Sequence, residues 1–201
     1  WCVVEWPRNM RDGYDVDLTE GKVCRVKHNV INAYYIGAVK CLNKIAGQLG
    51  LAPCGDAEAL QKAFAEAFYL PGQSAFRDSV ESTHISMAGN VYAWFFGLYP
   101  CEASRQAIVA MIRQKRLSQS MLFVTFPLFA GLLQDGEEAL MHDLLTDDDA
   151  WLRMLREGAT TTFEGWGKES KWNTSLFHLT LSYAVAFMTD WPIGKVLNFR
   201  S

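Results

Sequence analysis

Two kinds of helical segment alternate along this chain, and that alternation limits its fold more than any other feature. Apolar periodicity predicts helices over 30–49, 84–98, 120–133 and 175–188 that are apolar on most sides. The intervening segments 56–69, 102–115, 136–145 and 148–157 are amphipathic and charged. In the first helix Val30, Tyr34, Ala38, Cys41, Ile45 and Leu49 recur at helical spacing, and Gly50 ends it. Asp56 reads as the N-cap of the next, with Leu60, Phe64 and Phe68 on one face and Pro71-Gly72 as the break. A helix that is apolar all round must be covered on both sides, whereas a helix with one charged face covers a core on the other. The pattern therefore predicts an all-α protein of antiparallel helical hairpins with an inner and an outer layer, curving into an α/α toroid. An ordinary helical bundle is the alternative. No strand is predicted, and no repeat of fixed period supports a solenoid. Residues 1–27, punctuated by Pro7, Gly13 and Gly21, read as a long ordered loop.

At 201 residues, half of them apolar and 13% aromatic, the chain is one domain or part of one. It opens at Trp1 without a charged-then-apolar leader. The longest apolar run, 121–133, is interrupted by Thr125 and Pro127 and falls short of the roughly 20 residues that span a bilayer. With a net charge of −3 and no basic stretch longer than 113–116, nucleic acid is not an expected partner. The five cysteines are odd in number and form no CxxC pair, so neither a disulfide framework nor a zinc site is indicated. Cys41 reads as core. There is no HExxH, no GxSxG elbow and no glycine-rich phosphate loop, and the four histidines are scattered. No metal or cofactor is expected. Asp147-Asp148-Asp149 reads as the N-cap and first-turn charge of the helix that follows.

Chemistry concentrates at junctions. In Gly158-Ala159-Thr160-Thr161-Thr162-Phe163-Glu164-Gly165-Trp166, Gly158 stops a helix and the threonine run favours extended backbone. One carboxylate then stands between two aromatics. Aromatic neighbours desolvate a carboxylate and offer faces on which a sugar ring can stack, the setting of a general acid or base in glycoside cleavage. A surface or capping carboxylate is the alternative. Glu5-Trp6-Pro7-Arg8-Asn9-Met10-Arg11-Asp12-Gly13-Tyr14 adds aromatics, arginines and carboxylates of the kind that bind sugar faces and hydroxyls, or that pin an N-terminal arm. His84, Ser86, Gly89 and Asn90 open one apolar helix, and Asn173-Thr174-Ser175-Leu176-Phe177-His178 enters another. Either histidine could reach a pocket or serve a structural role.

Together these segments resemble the bacterial α-L-rhamnosidases, glycoside hydrolase family 78. Trp6 to Tyr14 is similar to the family's D-W-P-x-x-x-R-D-G-Y stretch, with Glu5 in place of the usual Asp. Asn29 to Leu49 resembles its N-x-x-x-A-x-Y-Y helix, and His84 to Asn90 its H-x-S-x-H-A-N segment. Trp151-Leu152-Arg153-Met154 followed by Gly158 to Glu164 resembles W-x-x-M…G-A-T-T-x-W-E, with Phe163 where the family usually has Trp. Asn173 to His178 resembles N-x-S-x-x-H-x-W, although Leu179-Thr180 departs from the A-W that often follows. The resemblance covers nearly the whole chain.

It implies the later helices of an (α/α)6 barrel and an inverting hydrolysis releasing L-rhamnose. Glu164 would be the general base, and Trp6, Arg11, Asp12, Tyr14, His84, Asn90, Phe163, Trp166 and His178 would bind substrate. The general acid would belong to a segment upstream of the W-P-R region, for which the chain offers no match. An inverting pair stands about 6.5–9.5 Å apart to admit a water, which a base on its own loop satisfies readily. Trp6, His84, Glu164 and His178 are then expected around one concavity. Segments 91–98 or 122–133 are expected to expose an apolar edge that self-associates or meets the rest of a longer parent chain. A non-catalytic toroid that binds carbohydrate or a protein, and a purely structural bundle, are the competing functions. The resemblance is to bacterial enzymes and leaves the compartment open between cytoplasm and periplasm or exterior.

Overall fold

The computed structural model describes residues 4–5, 8–14, 26–121, 123–189 and 199. Trp6 lies outside them, as does most of the N-terminal segment read as an ordered loop; within its described part, Arg8–Met10 form a 3-10 turn. The fold is all-α. Among the described residues the helices are α1 (Asn29–Gln48), α2 (Ala57–Phe68), α3 (Met87–Phe95), α4 (Glu102–Lys115), α5 (Thr125–Gln134), α6 (Glu138–Leu145), α7 (Trp151–Arg156) and α8 (Ala184–Phe187). The one sheet among the described residues is a hairpin of two-residue strands, β1 (Tyr69–Leu70) and β2 (Ala75–Phe76), pairing Tyr69 with Phe76 and Leu70 with Ala75 around the Pro71 turn. None of the described helices is long and apolar enough to cross a membrane.

The chain divides into two compact units, and the division falls within α4. The first holds Tyr14–Ala110 and Phe199, and the second holds Val4–Gly13 and Met111–Asn198. In the first unit α1 packs on α2 and α3 through its Ala33, Ile36, Gly37 and Val39 side. Asp56 caps α2 as expected, its carboxylate accepting from the Ala59 N–H at 2.9 Å. The start of α3 is later than the apolar pattern suggests. Ser86 caps it, accepting the Gly89 N–H at 3.0 Å, while Asp78 accepts the Ser86 N–H and hydroxyl.

Three other expectations change. Ala38, Ile45 and Leu49 are exposed, because α2 and α3 cover another side of α1; Tyr34 is partly exposed although its ring meets Tyr92 of α3 at 4.8 Å, and Cys41 is only half-buried. Segments 91–98 and 123–133 are mostly buried instead of forming an open apolar edge. The helix expected over 175–188 shrinks to a 3-10 turn, Leu179–Leu181, and the single turn of α8. Its first residues are diverted by their own hydroxyls: Thr174 Oγ1 donates to the Lys171 carbonyl at 2.8 Å and accepts the Lys171 N–H at 3.0 Å, and Ser175 Oγ donates to the Phe177 carbonyl at 3.0 Å. Such local bonds compete with helix formation.

In the second unit α5 packs on α6. Its start is set from far away in sequence: the buried Glu5 carboxylate accepts the N–H groups of Met121, Phe123 and Val124 at 2.7, 3.1 and 2.9 Å. A carboxylate against the free amides of a helix start satisfies donors that have no other partner and complements the helix dipole. The acidic run does not cap α7, whose N-cap is Ala150. Asp147 instead pairs with Arg116, and Asp148 with Arg156.

Candidate active site

Glu164 is presented by a loop that the end of α7 builds. Gly158 adopts φ +83° and closes the helix. The Gly158 N–H donates to Leu155 and the Ala159 N–H to Met154, both at 3.0 Å, the two bonds of a Schellman motif. Met154 then accepts the Phe163 N–H on its sulfur at 3.4 Å. The Trp166 indole N–H bridges the carbonyls of Leu117 and Ser120 at 3.0 and 2.8 Å, and its ring meets Trp151 at 4.8 Å. The loop is thus pinned on both sides of Glu164. Phe163 and Trp166 are each 2% exposed, so neither ring is open to a sugar in this structure. They anchor the carboxylate instead.

The segment 171–178 pairs with this loop. The Glu164 N–H donates to the Ser175 carbonyl at 2.9 Å and the His178 N–H to the Thr162 carbonyl at 2.8 Å. Glu164 Oε2 receives both the Lys171 ammonium, at 2.8 Å, and the Ser175 N–H, at 3.0 Å. Oε1 has no hydrogen-bond partner among the described residues. Burial pushes the carboxyl up. The Lys171 and Ser175 hydrogen bonds and the charges of Lys171 and His178 outweigh it and hold the group below its ordinary value. The result is an ionised carboxylate with one oxygen fixed and one free to accept a proton. His178 stands beside it, half-buried.

The other expected site residues fall in two groups. Arg11 and Asp12 belong to the same unit as Glu164. Arg11 is buried, and Asp12 has φ +55°, pairs with Lys115 through its carboxylate and donates its N–H to Gln119 at 3.0 Å. Tyr14, His84 and Asn90 belong to the first unit. There the Tyr14 hydroxyl is buried within 3.0 Å of His28 Nδ1 and Asn29 Oδ1. The fully buried Asn90 spends its amide on both backbone groups of Phe76 and on the Ser86 carbonyl. These two side chains organise the interior. His84 is 41% exposed on its ring and meets the buried Asp78 at 2.7 Å. Burial pushes the Asp78 carboxyl up, against the hydrogen bonds from Ser86 and His84.

Lys171 and Ser175 are partners of Glu164 that sequence reasoning did not single out. The available signal was the Lys-Trp-Asn-Thr-Ser stretch seven residues after Glu164, a composition typical of turns. A family model described as bacterial alpha-L-rhamnosidase 6 hairpin glycosidase domain matches residues 7–191. No curated protein matches the chain.

Proposed function

Because the chain belongs to the bacterial α-L-rhamnosidase six-hairpin glycosidase domain family, we propose that it is a catalytic segment of an inverting glycoside hydrolase that releases terminal α-L-rhamnose. The family match runs through both compact units, which supports reading them as parts of one catalytic domain. The observation that carries the reaction is the state of Glu164. An inverting base must be ionised and must have an oxygen able to take a proton from water. Lys171 favours the anion, the Ser175 N–H orients it, and Oε1 supplies the acceptor. Arg11, Asp12 and His178, which share the unit of Glu164, are proposed to line its sugar site.

The resemblance assigns the proton donor to a segment outside the matched motifs. A second reading places the donor at Asp12, which shares the unit of Glu164; its carboxylate pairs with Lys115, and that pair must open before Asp12 can carry a proton. Kinetics of the full-length protein on rhamnosides test both. Glu164→Gln lowers kcat by about 10²–10⁴-fold, the usual loss of a general base; a loss under threefold removes Glu164 from the role. If Asp12 is the donor, Asp12→Asn slows an alkyl rhamnoside far more than an activated aryl one, because only the poor leaving group depends on protonation.

A further inference from the structure

We propose that the outer face of α1 is a coiled-coil seam on which a second copy of this chain docks, antiparallel and two-fold symmetric. Ile31, Tyr35, Ala38, Leu42, Ile45 and Leu49 recur at alternating steps of four and three, the spacing of heptad a and d positions. Leu49 is the C-cap residue of the helix. At 3.6 residues per turn the six fall within a stripe about 80° wide. That stripe lies about half a turn from Ala33, Ile36 and Gly37, which are buried on the side against α2 and α3. All six are exposed, the five larger ones to between 42% and 66%. Apolar residues scattered singly over a surface need no explanation, whereas a contiguous row of them marks an interaction face.

The row is its own complement. Its positions are symmetric about residue 40, so an antiparallel copy sets Ile31 against Leu49, Tyr35 against Ile45 and Ala38 against Leu42. A small residue facing a large one next to the two-fold axis lets the helices approach and interdigitate. Such an interface uses the same patch on both subunits and closes at a dimer. Charge does not oppose it. The flanking e and g positions, 32, 34, 39, 41, 46 and 48, carry no charged residue that would repel an identical partner. Lys40 and Lys44 stand off the seam, and the Lys40 ammonium donates to the Phe96 carbonyl at 2.8 Å. The area also suffices. With about 150–200 Å² per large side chain, the exposed fractions leave roughly 500 Å² open per copy. A pair then buries about 1,000 Å², the level at which specific interfaces begin.

Sedimentation equilibrium of the full-length protein tests this, and a dimer at micromolar concentration is the expected result. Leu42→Lys combined with Ile45→Lys should raise the dimer dissociation constant at least about a hundredfold, because like charges brought together across an interface repel strongly. Both residues are on the surface, so the substituted protein should keep its helix content by circular dichroism. Orientation is read separately. Tyr35→Cys protein and Ile45→Cys protein, mixed and oxidised, should yield a disulfide-linked pair that neither yields alone; any other pattern overturns the antiparallel register. A protein that stays monomeric overturns the proposal. Alkylation of Leu42→Cys then tells the two monomeric cases apart: a blocked thiol means that another segment or another protein covers the seam, and a reactive one means that it stays open. A dimer unaffected by the two lysines assembles elsewhere and overturns the proposal equally.

Discussion

Lys171 and Glu164 make a shielded ion pair, with side chains only 10% and 15% exposed. Exposed pairs such as Arg156 with Asp148 contribute little, because water and salt screen them. Here the lysine controls the protonation of the proposed base. The folded carboxyl is held low, so its contribution to stability is present above the ordinary value of about 4.3 and is lost as pH falls through the folded value. The acid limb of kcat/KM is expected below about pH 4.3 for the same reason. Lys171→Met removes the cation that favours the anion, so the carboxyl rises and the limb moves to higher pH. A pH–rate profile of the two proteins checks it, and an unmoved limb refutes it. At this scale the sequence made Glu164 visible through the residues that pin its loop. It hid Lys171, whose reach depends on a turn closed by Ser170 and Thr174 hydroxyls. It also misassigned Phe163 and Trp166, since an aromatic next to a carboxylate reads the same whether its face is open or packed.

Helices fixed by strong local signals were legible at the level of elements. The ends of α1, α2 and α4 fall within about two residues of the apolar pattern. The failures came where side chains outbid the period. Hydroxyls unwound 175–178, Ser86 delayed α3, and the remote Glu5 delayed α5. The loop after α7 depends in turn on Gly165. A Cβ there would fall on the Ser170 hydroxyl and lie 2.5 Å from the Ser170 Cβ. Gly165→Ala should therefore destabilise by about 1–3 kcal/mol, the usual cost of overpacking. Thermal denaturation measures the loss, and Ser170→Gly in the same chain should restore part of it. A fully stable single variant would show that the loop has room to move.

The second unit is discontinuous: residues 4–13 complete a body otherwise made by 111–198. Glu5 ties the two parts at three amides, and no local pattern reveals a cap placed 116 to 119 residues from its amides. Glu5→Ala leaves three amides to find other partners and should cost at least the about 1–3 kcal/mol of one orphaned buried donor. Denaturant unfolding tests this, and an unchanged midpoint would show that water replaces the carboxylate. The same tie governs how the protein is made. While the ribosome works from residue 5 to residue 124, the N-terminal segment has no site to dock against. At about 5–20 residues per second that interval is roughly 6–24 s. The segment bearing Glu5 is thus finished early and placed late, and the loop bearing Glu164 emerges only after that placement becomes possible.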